Sequence, residues 1–443
     1  MATWHFPPEM ESWFDRMSFL LDKRNAWRLC PMLVGALFAV GRRTISSWLR
    51  AGGLSKDYKD SYYFLSSVGR KVQMVAGSLL SIVVKKVAPD ARVWLALDDT
   101  VTKRYGPHVE GAGVHHNPTP GPADQTYVYG HVWVTLSWIV RHPLWGTIGL
   151  PLLGKLYVRA KNVWLLAALY GGWKFQTKLE LAAELVEWAA RCLRWLKLSV
   201  WIVVDGGYTK REFLRRALAA DVVVVGRLRK DAALFSVPKP AAKKGRGRPR
   251  KYGPDRISLS KRAGARGGWQ TESFDLYNKQ TMKTYKTFLA TYPPVGTLVR
   301  VVLVREEHGW FAWFCTDPNA SVQEILEMVA DRAAIEQDYH DLKEVHGAGQ
   351  QQLRNVWANI GSFNLLLWLH TLVELWAWNL PHEQLCDRSG SPWDDLERRP
   401  SHADRCKALE RACFADEFSR LPLRGRAARK IRACVERLAA LVM

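Results

Sequence analysis

Acidic residues are in short supply: 42 Asp and Glu stand against 64 Lys and Arg, a formal charge of +22. That imbalance disfavours cationic partners and points to a polyanion, nucleic acid first, because phosphate neutralisation supplies most non-specific affinity. Cysteine is scarce as well: seven residues, at 30, 192, 315, 386, 406, 413 and 434, with no C-x-x-C pair. An odd, scattered set argues against a disulfide framework or a common zinc spacing and fits reduced thiols. No apolar run approaches the roughly 20 residues a membrane-spanning helix needs. The N-terminal MATWHFPPEMESWFDRM carries acids where a signal peptide carries bases. A cytoplasmic protein with no membrane partner is expected. There is no internal repeat, and 443 residues suffice for two or three domains around a large core.

What is present begins with helical patterning. Amphipathic segments fall near 10–29, 31–40, 43–52 and 62–87, interrupted at Pro31, Gly52-Gly53 and Pro89. In GRRTISSWLRAGGL a Thr or Ser cap precedes a short helix and a Gly turn, which suits a helix-turn-helix-like DNA-binding unit or a plain small bundle. The period then changes. RVWLALD, residues 92–98, is an apolar run of strand length ending in Asp98 and Asp99, and further strands are expected at 127–140 and 145–158. The intervening loop, 103–126, is long, basic and glycine-rich, as functional loops often are. His115 and His116 within it lack partner ligands at a metal-like spacing and read as a solvated pair. A helix over 177–197 leads to SVWIVVDGGY, a buried strand (199–204) that delivers Asp205 to a Gly-Gly turn. Helix 209–219 and strand 222–227 follow.

Residues 229–320 leave that order. The segment GRGRPRK resembles the AT-hook, in which Arg-Gly-Arg-Pro lies in the minor groove, so Arg246, Arg248, Arg250 and Lys251 are candidate DNA contacts. Strands expected at 271–277, 298–305 and 309–315 make this region a β insertion. Helices after 354 should pack on the core. The basic amphipathic tail RLPLRGRAARKIRACVERLAALVM suits contact with DNA or a second protomer.

The stretch 325–354 organises the rest. Ile325, Val329, Ala333, Ile335 and Leu342 recur near helical spacing, until Gly347 and Gly349 stop the run. Arg332, Glu336, Tyr339 or His340, and Lys343 then share one face. A Glu flanked by cations suits divalent-metal binding beside phosphate binding; a solvated, salt-bridged face has the same pattern. The run R-x3-E-x6-K, followed by Gly and then Q-x-x-L-R, resembles the signature of cut-and-paste insertion-sequence transposases with an RNase H-like DDE core. That signature usually has a Tyr three positions before the Arg, where this chain has Val329.

The resemblance spans roughly residues 90–380. It implies an α/β fold: an RNase H-like core, a mixed sheet flanked by helices, in two parts (89–228 and 321–385) around the β insertion (229–320). An N-terminal helical domain (1–88) precedes it and a basic helical tail (386–443) follows. It implies that Asp98, Asp205 and Glu336 hold two Mg²⁺ ions, with Mn²⁺ able to substitute and Asp99 the alternative to Asp98. On a strand, Val93, Leu95 and Leu97 would share one face, leaving Asp98 on the other beside the small Ala96, with room for an ion. DNA phosphates would fall to Arg332, Lys343, Tyr339 and Lys210, with Tyr208 nearby. Trp310 or Trp313 would stack on a flipped base, core packing being the alternative for either. The implied activity is DNA cleavage and strand transfer by a homodimer on element ends, at the nucleoid of a bacterial cytoplasm. Rival functions are an RNase H-like nuclease or resolvase without strand transfer, and a domesticated DNA-binding descendant that cuts nothing.

Overall fold

The computed structural model describes residues 5–89, 91–117, 125–238, 250–277, 279–386, 388, 393–395, 397–419, 425 and 430–431. Four helices open the chain: α1 (Glu11–Ser18), α2 (Leu29–Phe38), α3 (Ile45–Ala51) and α4 (Tyr58–Val87). Pro31 lies in the first turn of α2 and does not interrupt it, because an N–H there has no intrahelical partner to lose. Thr44 caps α3 by accepting from the Ser47 N–H at 3.2 Å, as its sequence requires. The α3 face bearing Ile45, Trp48 and Leu49 is buried.

The sheet begins with β1 (Arg92–Lys103), β2 (Gly113–His116), β3 (Tyr127–His142) and β4 (Gly146–Tyr157). Helices α5 (Ala160–Tyr170) and α6 (Lys178–Leu193) lead to β5 (Ser199–Val204), α7 (Arg211–Ala219) and β6 (Val222–Leu228). β1 pairs antiparallel with β3 and parallel with β5, β5 pairs parallel with β6, and β4 pairs with the far edge of β3. The core is therefore the expected RNase H-like α/β arrangement, a mixed sheet with its first acid on a central strand. Centrality explains why Val93, Leu95, Ala96 and Leu97 are all fully buried: the strand is covered on both faces. Two details differ from expectation. The loop at 103–126 contains β2, so His115 and His116 lie on a strand, His115 half-buried, and are not a solvated pair. Helix α5 is not among the expected elements.

The insertion is not a separate layer. It comprises β7 (Leu234–Phe235), β8 (Arg256–Ile257), the short α8 (Leu259–Gly264), β9 (Gln270–Leu276), β10 (Lys279–Tyr292), β11 (Thr297–Glu306) and β12 (Gly309–Cys315). β12 pairs antiparallel with β6, and the ladder runs on through β11, β10, β7 and β8, so core and insertion form one continuous sheet. The AT-hook-like Arg246 and Arg248 lie outside the described residues; Arg250 and Lys251, just beyond, are exposed.

The chain closes with α9 (Val322–Asp331), α10 (Ala333–Glu344), α11 (Val356–Ala377), α12 (His382–Leu385) and α13 (His402–Ser419). The single helix expected from 325 is thus two, meeting at Arg332. α11 corrects another expectation: its 22 residues are long and apolar enough to cross a membrane by length and composition, as is the stretch Ser55–Val87. In the fold, 94% of the apolar window of α11 is buried inside the protein. It crosses α4 with unusual intimacy. A Cβ on Gly69 would stand 1.9 Å from the Trp357 carbonyl oxygen, and one on Gly361 2.1 Å from that of Leu65. Only glycine at both points lets the two backbones meet. The N-terminal helices are thereby packed directly on the last helices of the core. Most of the basic C-terminal tail lies outside the described residues.

Candidate active site

β1 and β5 run parallel, with Ala96 beside Val203 and Leu97 beside Val204. One position further stand Asp98 and Asp205, where the two apolar runs give way to acids. In a parallel pair neighbours in register point to the same face, so the pairing of two hydrophobic strands is what carries these carboxylates to one sheet end. Asp205 is exposed at the Gly206-Gly207 turn, and Asp98 is half-buried.

Helix α10 brings the third acid. It lies over the β1 face that carries Asp98. Asp98 is opposite Thr135 of β3, whose hydroxyl lies 2.6 Å from the Tyr339 hydroxyl, and Ser137 on the same face donates to Asp338 at 2.8 Å. Arg104, buried, donates to the Gly349 carbonyl at 2.6 Å and ties the end of β1 to the turn after α10. With the helix so fixed, the Arg332 guanidinium reaches two carboxylates at once. It donates to Asp98 Oδ2 at 2.8 Å and to Glu336 Oε1 at 2.7 Å. The i, i+4 face read from sequence is present, and its Arg holds acids.

Burial pushes the Asp98 carboxyl up to about 6; the negative charges of Asp99 and Asp205 add to this, while the Asp99 N–H and Arg332 oppose it. Asp99 faces the other way, as strand alternation demands. It accepts from Lys178 Nζ, at the first residue of α6, at 2.6 Å and from the Tyr208 hydroxyl at 2.7 Å. Tyr208 is buried, and burial together with the Asp99 charge holds its phenol well above the usual range.

Around Asp205 the surface is basic. A groove is lined by Asp205, Gly206, Arg227, Leu228, Arg229, Lys230 and Asp231. Lys230 sits over the Trp310 ring at 5.4 Å, and Arg227 over Phe311 at 4.5 Å. Trp313 pairs in register with Arg227 and is, like Trp310, half-buried against the core. Both tryptophans pack in part against the core and keep part of their surface exposed. Lys210 is exposed a few residues past Asp205 in the chain, and Lys343 is half-buried on α10.

Tyr339 departs from expectation. It is only 9% exposed and points to Thr135, so it supports the floor beneath Asp98 and does not present its hydroxyl to a phosphate. His340, its neighbour, is the exposed one. Missed altogether were Lys178 and the Arg227, Arg229 and Lys230 cluster. The Thr177–Glu180 capping box marks where α6 starts, yet nothing local says that its first residue meets Asp99.

The donor set consists of carboxylate oxygens alone, which suits a hard divalent ion such as Mg²⁺. That a cationic guanidinium is already drawn in between Asp98 and Glu336 fits the same demand for positive charge. The family model for DDE superfamily endonucleases matches residues 19–286, a span that includes Asp98 and Asp205 and ends before Glu336. No curated protein matches the chain.

Proposed function

Since the chain belongs to the DDE superfamily endonucleases, we propose that it is a transposase that binds the ends of a mobile element, cuts them and joins them to target DNA. The observation that carries this reading is the Asp98–Arg332–Glu336 bridge, with Asp98 and Asp205 each one residue past the paired Leu97 and Val204. Three acids from distant parts of the chain meet at one sheet end, beside a basic groove.

Asp98, Asp205 and Glu336 would hold the divalent ions, with Asp99 occupied by Lys178 and Tyr208. When bound, two such ions supply charge relief at the attacking and leaving oxygens of an in-line displacement. The protein's own contribution is placement. Arg229, Lys230 and Lys210 offer charge to the DNA backbone next to Asp205, and Arg332 can turn from its carboxylates to a phosphate oxygen, for which its planar fork is suited. Hydrolysis breaks the P–O3′ bond at the element end and leaves a 3′-OH. That hydroxyl then attacks a target phosphodiester in the same site, and the displaced target 3′ oxygen takes up the proton. The protein acts, in this reading, as a homodimer on DNA in a bacterial cytoplasm.

An endonuclease that hydrolyses without joining has the same acids. Incubating the protein with Mg²⁺, labelled element ends and a plasmid target separates the two. Joined end–plasmid products support transposition; nicked ends that never join leave only the nuclease.

A further inference from the structure

On the opposite side of α10 from Asp98 lies a second cluster, which neither the family nor the acids explain. His346, just past α10, His370 of α11 and His402 of α13 each offer a ligand atom within 4.8 Å of the others, and all three are buried. The His346 and His402 Nε2 atoms face each other at 2.7 Å. Cys406, one turn along α13 from His402, places its sulfur 3.4 Å from the same His402 Nε2. His370 stacks on His402 with ring centroids 3.8 Å apart, and its Nδ1 is buried without a hydrogen-bond partner.

The tautomer of His402 is set from behind. Its Nδ1 lies 2.5 Å from Glu374 Oε1, so it carries the proton that the carboxylate accepts, and the Nε2 lone pair is left pointing into the cluster. A carboxylate holding the rear N–H of a histidine is the usual outer partner of a metal-bound imidazole. Glu374 also accepts from Arg405 at 2.9 Å, which fixes it in place. A cleft lined by Asp338, His370, Glu374, His402 and Arg405 leads from the surface to the cluster.

We propose that His346, His370, His402 and Cys406 form a structural Zn²⁺ site that fastens α13 and α11 to the end of the helix bearing Glu336. Imidazole and thiolate ligands favour zinc over magnesium, so this site and the carboxylate site select different ions. Tetrahedral Zn–N bonds of about 2.0 Å hold ligand nitrogens about 3.3 Å apart, so uptake spreads the His346–His402 pair and draws in the His370 ring. Binding releases the Cys406 thiol proton to solvent. The four ligands come from three separate segments with no short motif, which is why spacing alone did not reveal them.

The test uses the full chain purified without chelator. Elemental analysis should find about one zinc per chain, in the wild type and equally in Glu336→Gln, which separates this site from the acids. Stripped protein titrated with Co²⁺ should show a near-ultraviolet thiolate-to-cobalt charge-transfer band. Cys406→Ser, a small change in a folded protein by circular dichroism, should lose that band. Removing the zinc should lower the unfolding temperature of the wild type. Folded protein without zinc that takes up no Co²⁺, or a cobalt spectrum without the thiolate band, overturns the proposal and leaves a hydrogen-bonded His–His–Glu relay.

Discussion

Asp98 and Arg332, separated by 234 positions in the chain, are joined by a 2.8 Å hydrogen bond, and the other arm of the same guanidinium holds Glu336. The bridge sits where α9 ends and α10 begins. Asp331, the last residue of α9, is anchored to Arg141 and Thr147 of the sheet at 2.9 and 2.7 Å, so the junction is held on both sides. Arg332→Ala should lower Mg²⁺-dependent cleavage about 100-fold, the scale for losing one preorganised charge at a reacting phosphate. Arg332→Lys should recover part of it. Cleavage unchanged in Arg332→Ala would show that the bridge has no part in the chemistry.

The raised Asp98 carboxyl makes stability depend on pH. Its folded value of about 6 lies above the ordinary 3.8, so between these values the native state binds more protons than the unfolded one. Stability of the metal-free protein should therefore fall as pH rises from about 4 to 6, and this component should vanish in Asp98→Asn. Urea melts in EDTA across that window provide the check; identical slopes for the two proteins would contradict a carboxyl raised by burial.

The α4–α11 crossing sets a packing limit. Gly361→Ala puts a methyl group against the Leu65 carbonyl, and backbone on both sides cannot give way. The expected loss is about 1–3 kcal/mol, read as a lower melting temperature. Since α4 belongs to the N-terminal helices, the N-terminal region and the core should unfold in one transition, which calorimetry would show.

Much of this is legible in the sequence, and the residues say why. Val93 to Leu97 and Val200 to Val204 are apolar runs of strand length, and their terminal acids are visible in the sequence because a buried strand must end where charge begins. Thr44 marks a helix start through a purely local hydrogen bond, whereas the caps at Thr177 and Ser321 are found only in the structure. What was hidden is tertiary. Lys178 finds Asp99 only because α6 lands on the other face of β1. Tyr339 turns inward because Thr135 waits on β3. β10, KQTMKTYKTFLATY, is too polar in its first half to read as a strand, and is held by its neighbours β9 and β11. α11 looks like a membrane span for the opposite reason: a helix surrounded by protein has no need of a polar face.

DNA affinity should depend steeply on salt. With a surplus of 22 positive charges and a basic groove at Asp205, binding should weaken by orders of magnitude between about 50 and 200 mM salt. Arg229→Ala and Lys230→Ala should each reduce the logarithmic salt slope by about one if each meets a phosphate. A salt-independent affinity would exclude backbone recognition. Deletion of residues 240–253 should weaken binding and leave the melting temperature of the core in place.

That Asp98, Asp205 and Glu336 share one task is tested most directly by a single comparison. Asp98→Asn, Asp205→Asn, Glu336→Gln and Asp99→Asn are assayed side by side for Mg²⁺-dependent cleavage of DNA bearing the element's ends, with binding to the same DNA measured in parallel. The first three should abolish cleavage while leaving binding near that of the wild type, and Asp99→Asn should still cut. Cleavage that survives Glu336→Gln, or that survives Asp98→Asn and is lost in Asp99→Asn, would contradict the assignment.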